Sequence, residues 1–263
     1  MTTADPRVEL RDIDLRYFTQ EGETEAVRGL SLQVQPGEFV AIVGQSGCGK
    51  STLLSLVAGI LEPTAGEVLV DGHPVDGPSP VCAYMLQHDY LFEWRTILDN
   101  VLIGPEIQGM NMAAARDKAQ ELLRRYGLGE FIGHYPHQLS GGMRQRAALA
   151  RTLCTDPEIL LLDEPFSALD FQTRLALADE VGVILRREGK TVVLVTHDIS
   201  EAVSMADRVI VMSKRPGRVK AEHTITFANG GGERPTPFEA RNKPEFQDYF
   251  NQIWGELEIH VGA

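Results

Sequence analysis

Short apolar runs alternate with polar, glycine-punctuated stretches along this chain, and the period of the pattern changes on the way. Val8 to Tyr17, Leu30 to Val34 and Glu38 to Val43 are rich in β-branched residues and predict strands. The third runs through a glycine-rich stretch into Ser51 to Gly59, where apolar residues recur at helical spacing. Glu67 to Val70 and Cys82 to Leu86 predict further strands, parted by turns such as Asp76-Gly77-Pro78. Between about Thr96 and Cys154 the pattern turns helical, clearest over Ala113 to Tyr126. Alternation then returns, with strands at Glu158 to Leu162, Thr191 to Thr196 and Arg208 to Met212 and helices at Phe171 to Arg187 and Ile199 to Ala206. The unbroken Ile-Leu-Leu-Leu and Val-Val-Leu-Val runs suit strands covered on both faces, as in a parallel sheet under helices. In the tail, Asn229 to Gly232 is the main punctuation, and Glu245 to Leu257 predicts a last helix.

Composition narrows the classes. The 263 residues carry 25 basic and 37 acidic side chains, a net charge of −12, which argues against a nucleic-acid binder needing a basic face. No apolar run approaches the roughly 20 residues of a membrane span. The opening MTTADPRVEL has no leader pattern. Cys48, Cys82 and Cys154 are too scattered for a disulfide framework or zinc knuckle, so the expectation is a cytoplasmic protein with reduced thiols.

Gly44 to Ser51 reads G-Q-S-G-C-G-K-S, between a predicted strand and a predicted helix. Glycines let successive backbone amides turn inward toward phosphate oxygens, and the helix start adds its positive dipole end. Gly44, Gln45, Ser46, Gly47, Cys48, Gly49, Lys50, Ser51 and Thr52 are therefore candidate nucleotide-binding residues. Lys50 reaches the β- and γ-phosphates in such a loop, and Ser51 offers a hydroxyl to Mg²⁺. The apolar strand Ile159 to Leu162 ends in Asp163 and Glu164. Asp163 suits Mg²⁺, directly or through water, and Glu164 suits an attacking water.

Leu139-Ser140-Gly141-Gly142-Met143 opens a helix shortly before that strand. Here the chain resembles the ATP-binding cassette family, the ATPase subunits of ABC transporters, whose LSGGQ stands as LSGGM. The resemblance covers about Val8 to Val219 and implies roles for further residues. Ser140, Gly141 and Gly142 meet nucleotide through a hydroxyl and helix-start amides. Tyr17 is the aromatic that stacks on adenine, with Phe18 the rival if the register slips by one. Gln87 touches Mg²⁺ and links the core to the helical insert. Phe166 to Asp170 is the loop that crosses between subunits, with Asp170 at the nucleotide seam. His197 contacts the γ-phosphate. His134 and His137 are separated by Pro136, which breaks any helical register, and read as ordinary histidines.

The implied fold is α/β: a P-loop NTPase core with a mostly parallel sheet flanked by helices, an N-terminal antiparallel β subdomain and an inserted α-helical subdomain. The cassette is expected over residues 1–222, with the helical subdomain at about 92–155 and a C-terminal extension over 223–263 packed on it as a strap. The implied cofactors are ATP and Mg²⁺, clamped between two head-to-tail copies. Leu91 to Val101 and Lys214-Arg215-Pro216-Gly217-Arg218-Val219 resemble the nitrate/sulfonate/taurine importer ATPases, although a proline often stands in that branch where Glu93 is. That branch implies separate integral membrane permease subunits, an extracytoplasmic solute-binding protein reached through the permease, and a peripheral position on the inner face of the plasma membrane. The alternatives are a soluble ABC-type ATPase not coupled to transport and a small-molecule kinase. Co-purification with a permease separates the first, and hydrolysis without an acceptor separates the second. Cys48, in a loop leading into a helix start, is expected to be acidified and reachable, unless a small residue merely fits there.

Overall fold

The computed structural model describes residues 5–19, 22–228 and 234–257, so Asn229 to Gly232 lies outside the described residues. In chain order the elements are β1 (Val8–Thr19), β2 (Gly22–Val34), β3 (Phe39–Val43), α1 (Lys50–Val57), β4 (Ala65–Val70), β5 (His73–Pro74), β6 (Cys82–Met85), α2 (Ile97–Val101), α3 (Ile103–Ile107) and α4 (Met112–Arg125). They continue with α5 (Gly141–Cys154), β7 (Ile159–Asp163), α6 (Phe171–Arg187), β8 (Thr191–Val195), α7 (Ile199–Met205), β9 (Arg208–Met212), β10 (Val219–Thr224), α8 (Pro237–Ala240) and α9 (Pro244–Glu256). No helix among the described residues is long and apolar enough to cross a membrane. The chain divides into two units, Met1–Ser79 with Ala178–Ala263 and Pro80–Leu177.

In the first unit, β2-β1-β4-β5 form an antiparallel sheet that buries Leu10, Ile13, Leu15, Leu30 and Leu32. β2 begins at Gly22 rather than Leu30, because its polar first half is held by pairing, Leu15 against Val27 and Tyr17 against Thr24. A second sheet orders β10, β9, β3 and β8. β3 runs parallel to both neighbours, with Ile42 opposite Val195 and Val43 opposite Val211. Every residue of β3 and β8 is buried, as their continuous apolar runs require. The edge strand β10 is antiparallel to β9. Its Val-Lys-Ala-Glu-His-Thr alternation carries too little apolar character to announce a strand.

The tail returns to this unit. Arg234 donates to Asp207 Oδ1 (3.1 Å) and the carbonyls of Ile225 (3.2 Å) and Val203 (3.3 Å), and also to the Ala206 carbonyl. Thr236 and Glu239 form a reciprocal cap on α8, and Ile253 on α9 is fully buried.

In the second unit, β6 and β7 pair in parallel, Cys82 opposite Ile159 and Met85 opposite Leu162. The helical stretch expected after Thr96 resolves into four helices, of which α4 and α5 are the long ones. Buried Asn100 holds the loop before α2: it accepts from the Phe92 amide (2.7 Å) and donates to the carbonyls of Phe92, Arg95 and Thr96.

Candidate functional site

The first unit holds the phosphate loop at the end of β3. Gly47 (φ 74°) and Gly49 (φ 102°) take left-handed backbone that disfavours any side chain, and Gly49 heads α1 without a side-chain cap. A helix start without a side-chain cap is the arrangement that holds phosphate through its leading amides. Buried Lys50 donates from Nζ to the carbonyls of Gly44 (2.8 Å) and Gln45 (3.0 Å), so its partners in this unit are neutral and its charge remains to meet an anion. Ser46 and Ser51 are exposed. Thr52 Oγ1 lies 3.2 Å from the Tyr17 hydroxyl, which ties the Tyr17 ring to the first turn of α1. Phe18, the next residue along the strand, is exposed and has no such tie.

His197 is exposed beyond β8, and the Thr196 amide donates to Ile42 O (3.2 Å), so His197 and Gly44 leave the same edge of the sheet. The turn is fixed by the Thr196 hydroxyl, which donates to Glu201 Oε2 (2.7 Å), and by Asp198, which caps α7 through the amides of Ser200 and Glu201. Gln45 points away from the loop and donates to Leu257 O (2.8 Å) at the end of α9.

Cys48 departs from expectation. Its side chain is 1% exposed, and burial pushes the thiol up, more than nearby Lys50 pulls it down. The thiol turns inward under Gly44, where a Cβ would stand 2.8 Å from Sγ. It is neither acidified nor reachable.

The second unit gathers the carboxylates. Asp163, at the end of β7, is 3% exposed, with the Tyr84 hydroxyl at 3.5 Å from Oδ2. Glu164 follows at φ 47°, an uncommon conformation for a residue with a side chain and one that clusters at functional sites. Gln87 Nε2 donates to Glu164 Oε2 (3.1 Å), which joins two predicted site residues directly.

Ser140 caps α5 by accepting the Met143 amide (3.3 Å), so Gly141 and Gly142 supply the leading amides of that helix. A Cβ on Gly142 would stand 2.9 Å from Leu169, so this helix start packs against the Phe166 to Asp170 loop. Asp170 is held below the usual carboxylate range by Thr173, through both its side chain and its backbone amide.

One connecting residue escaped the motif reading. Buried Gln145 donates to Glu164 O (3.1 Å) and accepts the Ala168 amide (2.9 Å), so it clasps the turn between β7 and α6 from within α5. It lies inside the Leu139 to Arg146 string, but its partners are distant in sequence. Arg144 and Arg151 of α5 likewise hold the segment after Gln87, by Arg144 Nε to Asp89 Oδ2 (3.1 Å) and Arg151 to the carbonyls of Asp89 (2.7 Å) and Tyr90 (2.9 Å).

The residues present fit a nucleotide and a hard cation. An uncapped helix start under left-handed glycines and a buried ammonium on neutral carbonyls suit phosphate. The buried carboxylate of Asp163 and the side-chain amide of Gln87 in the second unit, and the hydroxyl of Ser51 in the first, are each oxygen donors of the kind magnesium takes.

Comparison with known proteins identifies the family. Residues 27–167 match the family described as ABC transporter. The chain is 37% identical over 259 residues to the taurine import ATP-binding protein TauB of Roseobacter denitrificans (strain ATCC 33942 / OCh 114), covering 97% of this chain and 96% of that protein. It is 40% identical over 250 residues to the nitrate import ATP-binding protein NrtD of Synechocystis sp. (strain ATCC 27184 / PCC 6803 / Kazusa), covering 94% and 93%. Among solved structures, the dimeric post-hydrolysis state of the ATP-binding cassette MJ0796 bound to ADP and phosphate aligns with a TM-score of 0.77 at 32% identity, covering 84% of this chain and 100% of that one. The chain belongs to the ABC transporter family, as one of its ATP-hydrolysing cassette subunits.

Proposed function

We propose that this chain drives a solute importer of the nitrate/sulfonate/taurine type, two copies clamping two ATP–Mg between them and coupling to separate permease subunits. The observation that carries this reading is the 37–40% identity to a taurine and a nitrate import ATP-binding protein over nearly the whole length, tail included. It implies a cytoplasmic subunit, peripheral on the inner face of the plasma membrane, with an extracytoplasmic solute-binding protein beyond the permease.

In this reading the amides of Gly44 to Thr52 and the Lys50 ammonium bind the phosphates, and the Tyr17 ring stacks on adenine. Ser51, Gln87 and Asp163 would hold magnesium, which would neutralise phosphate charge when bound. Glu164, aimed by Gln87 and by the Gln145 clasp on its carbonyl, orients or deprotonates the attacking water. His197 steadies the γ-phosphate from the edge of β8. Ser140, Gly141 and Gly142 of one copy complete the phosphate shell of the other, with Asp170 at the seam.

An exposed pair of aromatics in tilted contact, Phe92 and Trp94, 4.9 Å between ring centres, supports a permease contact on the helical unit. The test is co-expression with the permease genes encoded alongside, followed by purification in detergent. A stoichiometric membrane complex whose ATPase rises with loaded solute-binding protein is expected. A chain that stays soluble and hydrolyses ATP equally without permease would favour an uncoupled cassette.

A further inference from the structure

The Lys214 to Val219 string packs against the phosphate loop. Arg215 Nε donates to Gly47 O (3.1 Å), and a Cβ on Gly47 would stand 3.1 Å from the Arg215 guanidinium. Two residues on, Gly217 lies so close that a Cβ there would stand 2.1 Å from Cys48 O. The turn is itself anchored. Gly217 N donates to Ala26 O (2.8 Å), Arg28 N donates to Gly217 O (3.1 Å), and Ser213 Oγ donates to Pro216 O (3.1 Å).

Arg215 is exposed, and no carboxylate pairs with it among the described residues. A guanidinium in water gains little from one carbonyl unless something fixes the geometry, and here the Ser213–Arg218 turn does. Its effect falls on the Gly47–Cys48 peptide. With the Gly47 carbonyl held by the guanidinium, the plane of that peptide is set, and with it the approach to Gly49 and the leading amides of α1.

We propose that Arg215 is a positioning residue for nucleotide binding: its guanidinium holds the Gly47 carbonyl of the phosphate loop and so preorganises the loop amides for the phosphates of ATP and ADP alike. The inference rests on the reading of Gly44 to Thr52 as the nucleotide site. Its effect belongs to affinity and not to the chemical step, because Arg215 acts on a loop common to substrate and product.

The experiment is calorimetric titration of the full chain and its R215A and R215K variants with Mg·ADP and with a nonhydrolysable ATP analogue. Steady-state ATPase and the thermal midpoint without nucleotide are measured alongside. R215A is expected to weaken both nucleotides about five- to tenfold, the size of one charge-assisted hydrogen bond, to raise KM by a similar factor more than it lowers kcat, and to leave the nucleotide-free midpoint unmoved. R215K is expected within about twofold of the unaltered chain, since an ammonium can donate to the same carbonyl. Binding by R215A within twofold of the parent overturns the proposal. So does a loss confined to the ATP analogue, which would mean a direct γ-phosphate contact, or an R215K variant as weak as R215A. If the unaltered chain binds neither nucleotide, the nucleotide-site reading falls as well. If it binds both in a Lys50-dependent way while R215A is unchanged, only this inference falls.

Discussion

Glu164 bends the backbone at φ 47° where a side chain is disfavoured, and the surrounding structure holds it there through Gln145 and the Ser167 hydroxyl on its carbonyl. Strain of this kind costs of order 1 kcal/mol or more and persists where function needs the direction it gives. Two expectations follow from that tension. Glu164→Gln keeps the amide partner Gln87 and should retain ATP binding while cutting turnover by about 10²–10⁴, the range for a positioned base; near-normal hydrolysis would remove Glu164 from the mechanism. Glu164→Gly should be more stable than Glu164→Ala by about 1 kcal/mol in urea unfolding, since glycine accepts the left-handed turn freely; equal midpoints would show that the turn carries no strain. Lys50→Ala should weaken nucleotide binding outright, because it removes the buried ammonium at the phosphate loop. Cys48 yields a prediction opposite to its motif position. Because burial raises its pKa, the thiolate in the folded chain is scarcer at pH 8 than for an ordinary cysteine and becomes populated only at higher pH. Iodoacetamide at pH 8 should therefore leave ATPase activity intact; rapid inactivation that ATP prevents would restore the reactive reading.

Between elements, a charged hub helps to fasten the tail beside its buried Ala240, Ile253 and Leu257. Asp207 sits between α7 and β9, accepts the Phe39 amide (2.9 Å), and receives Arg186 (2.7 Å) and Arg234 (3.1 Å) together. Desolvation, with Arg186 nearby, lowers Arg234 to about 10, which still leaves it charged at neutral pH. Asp207→Ala leaves two guanidinium groups facing each other without their shared anion and should cost about 2–3 kcal/mol, read as a drop in the urea midpoint; a loss below about 0.5 kcal/mol would reduce the hub to surface ornament. None of this hub was legible in the sequence. The strands β3, β7 and β8 were, because four or five buried apolar residues in a row have few other fates, and so was the phosphate loop, because glycine spacing fixes its shape. β10 and α8 were not, since an edge strand with polar alternation and a one-turn helix leave almost no periodic signal. Gln145 and Arg215 escaped because each acts on backbone groups distant in sequence, Gln145 on Glu164 O and the Ala168 amide and Arg215 on Gly47 O. The sequence left Cys48 open between a reachable thiol and a small residue that fits, because the motif tells where the backbone goes and not which way a small side chain turns.

For the whole molecule, nucleotide binding and assembly should appear as separable stabilities. A ligand bound only by the folded chain stabilises it by about 2.7 kcal/mol at one hundred times its Kd, roughly 5–10 °C for a chain of this size. The unaltered chain should show that rise with Mg·ADP whatever its own concentration, and Lys50→Ala should show none, because by this proposal Lys50 serves the nucleotide of its own copy. Glu164→Gln with Mg·ATP should behave differently. If two copies clamp the triphosphate, the folded state is a dimer, and by mass action its thermal midpoint must climb as protein concentration is raised. Ser140 distinguishes cooperation between copies from tight binding by one. It caps α5 in the second unit and by this proposal serves the partner's nucleotide. Adding Ser140→Arg to the Glu164→Gln chain should therefore abolish the dependence on protein concentration and keep the rise that nucleotide gives at low concentration. A Glu164→Gln midpoint that ignores protein concentration in ATP, or a Ser140→Arg chain that keeps the dependence, would mean that the signature helix does not complete a neighbour's site.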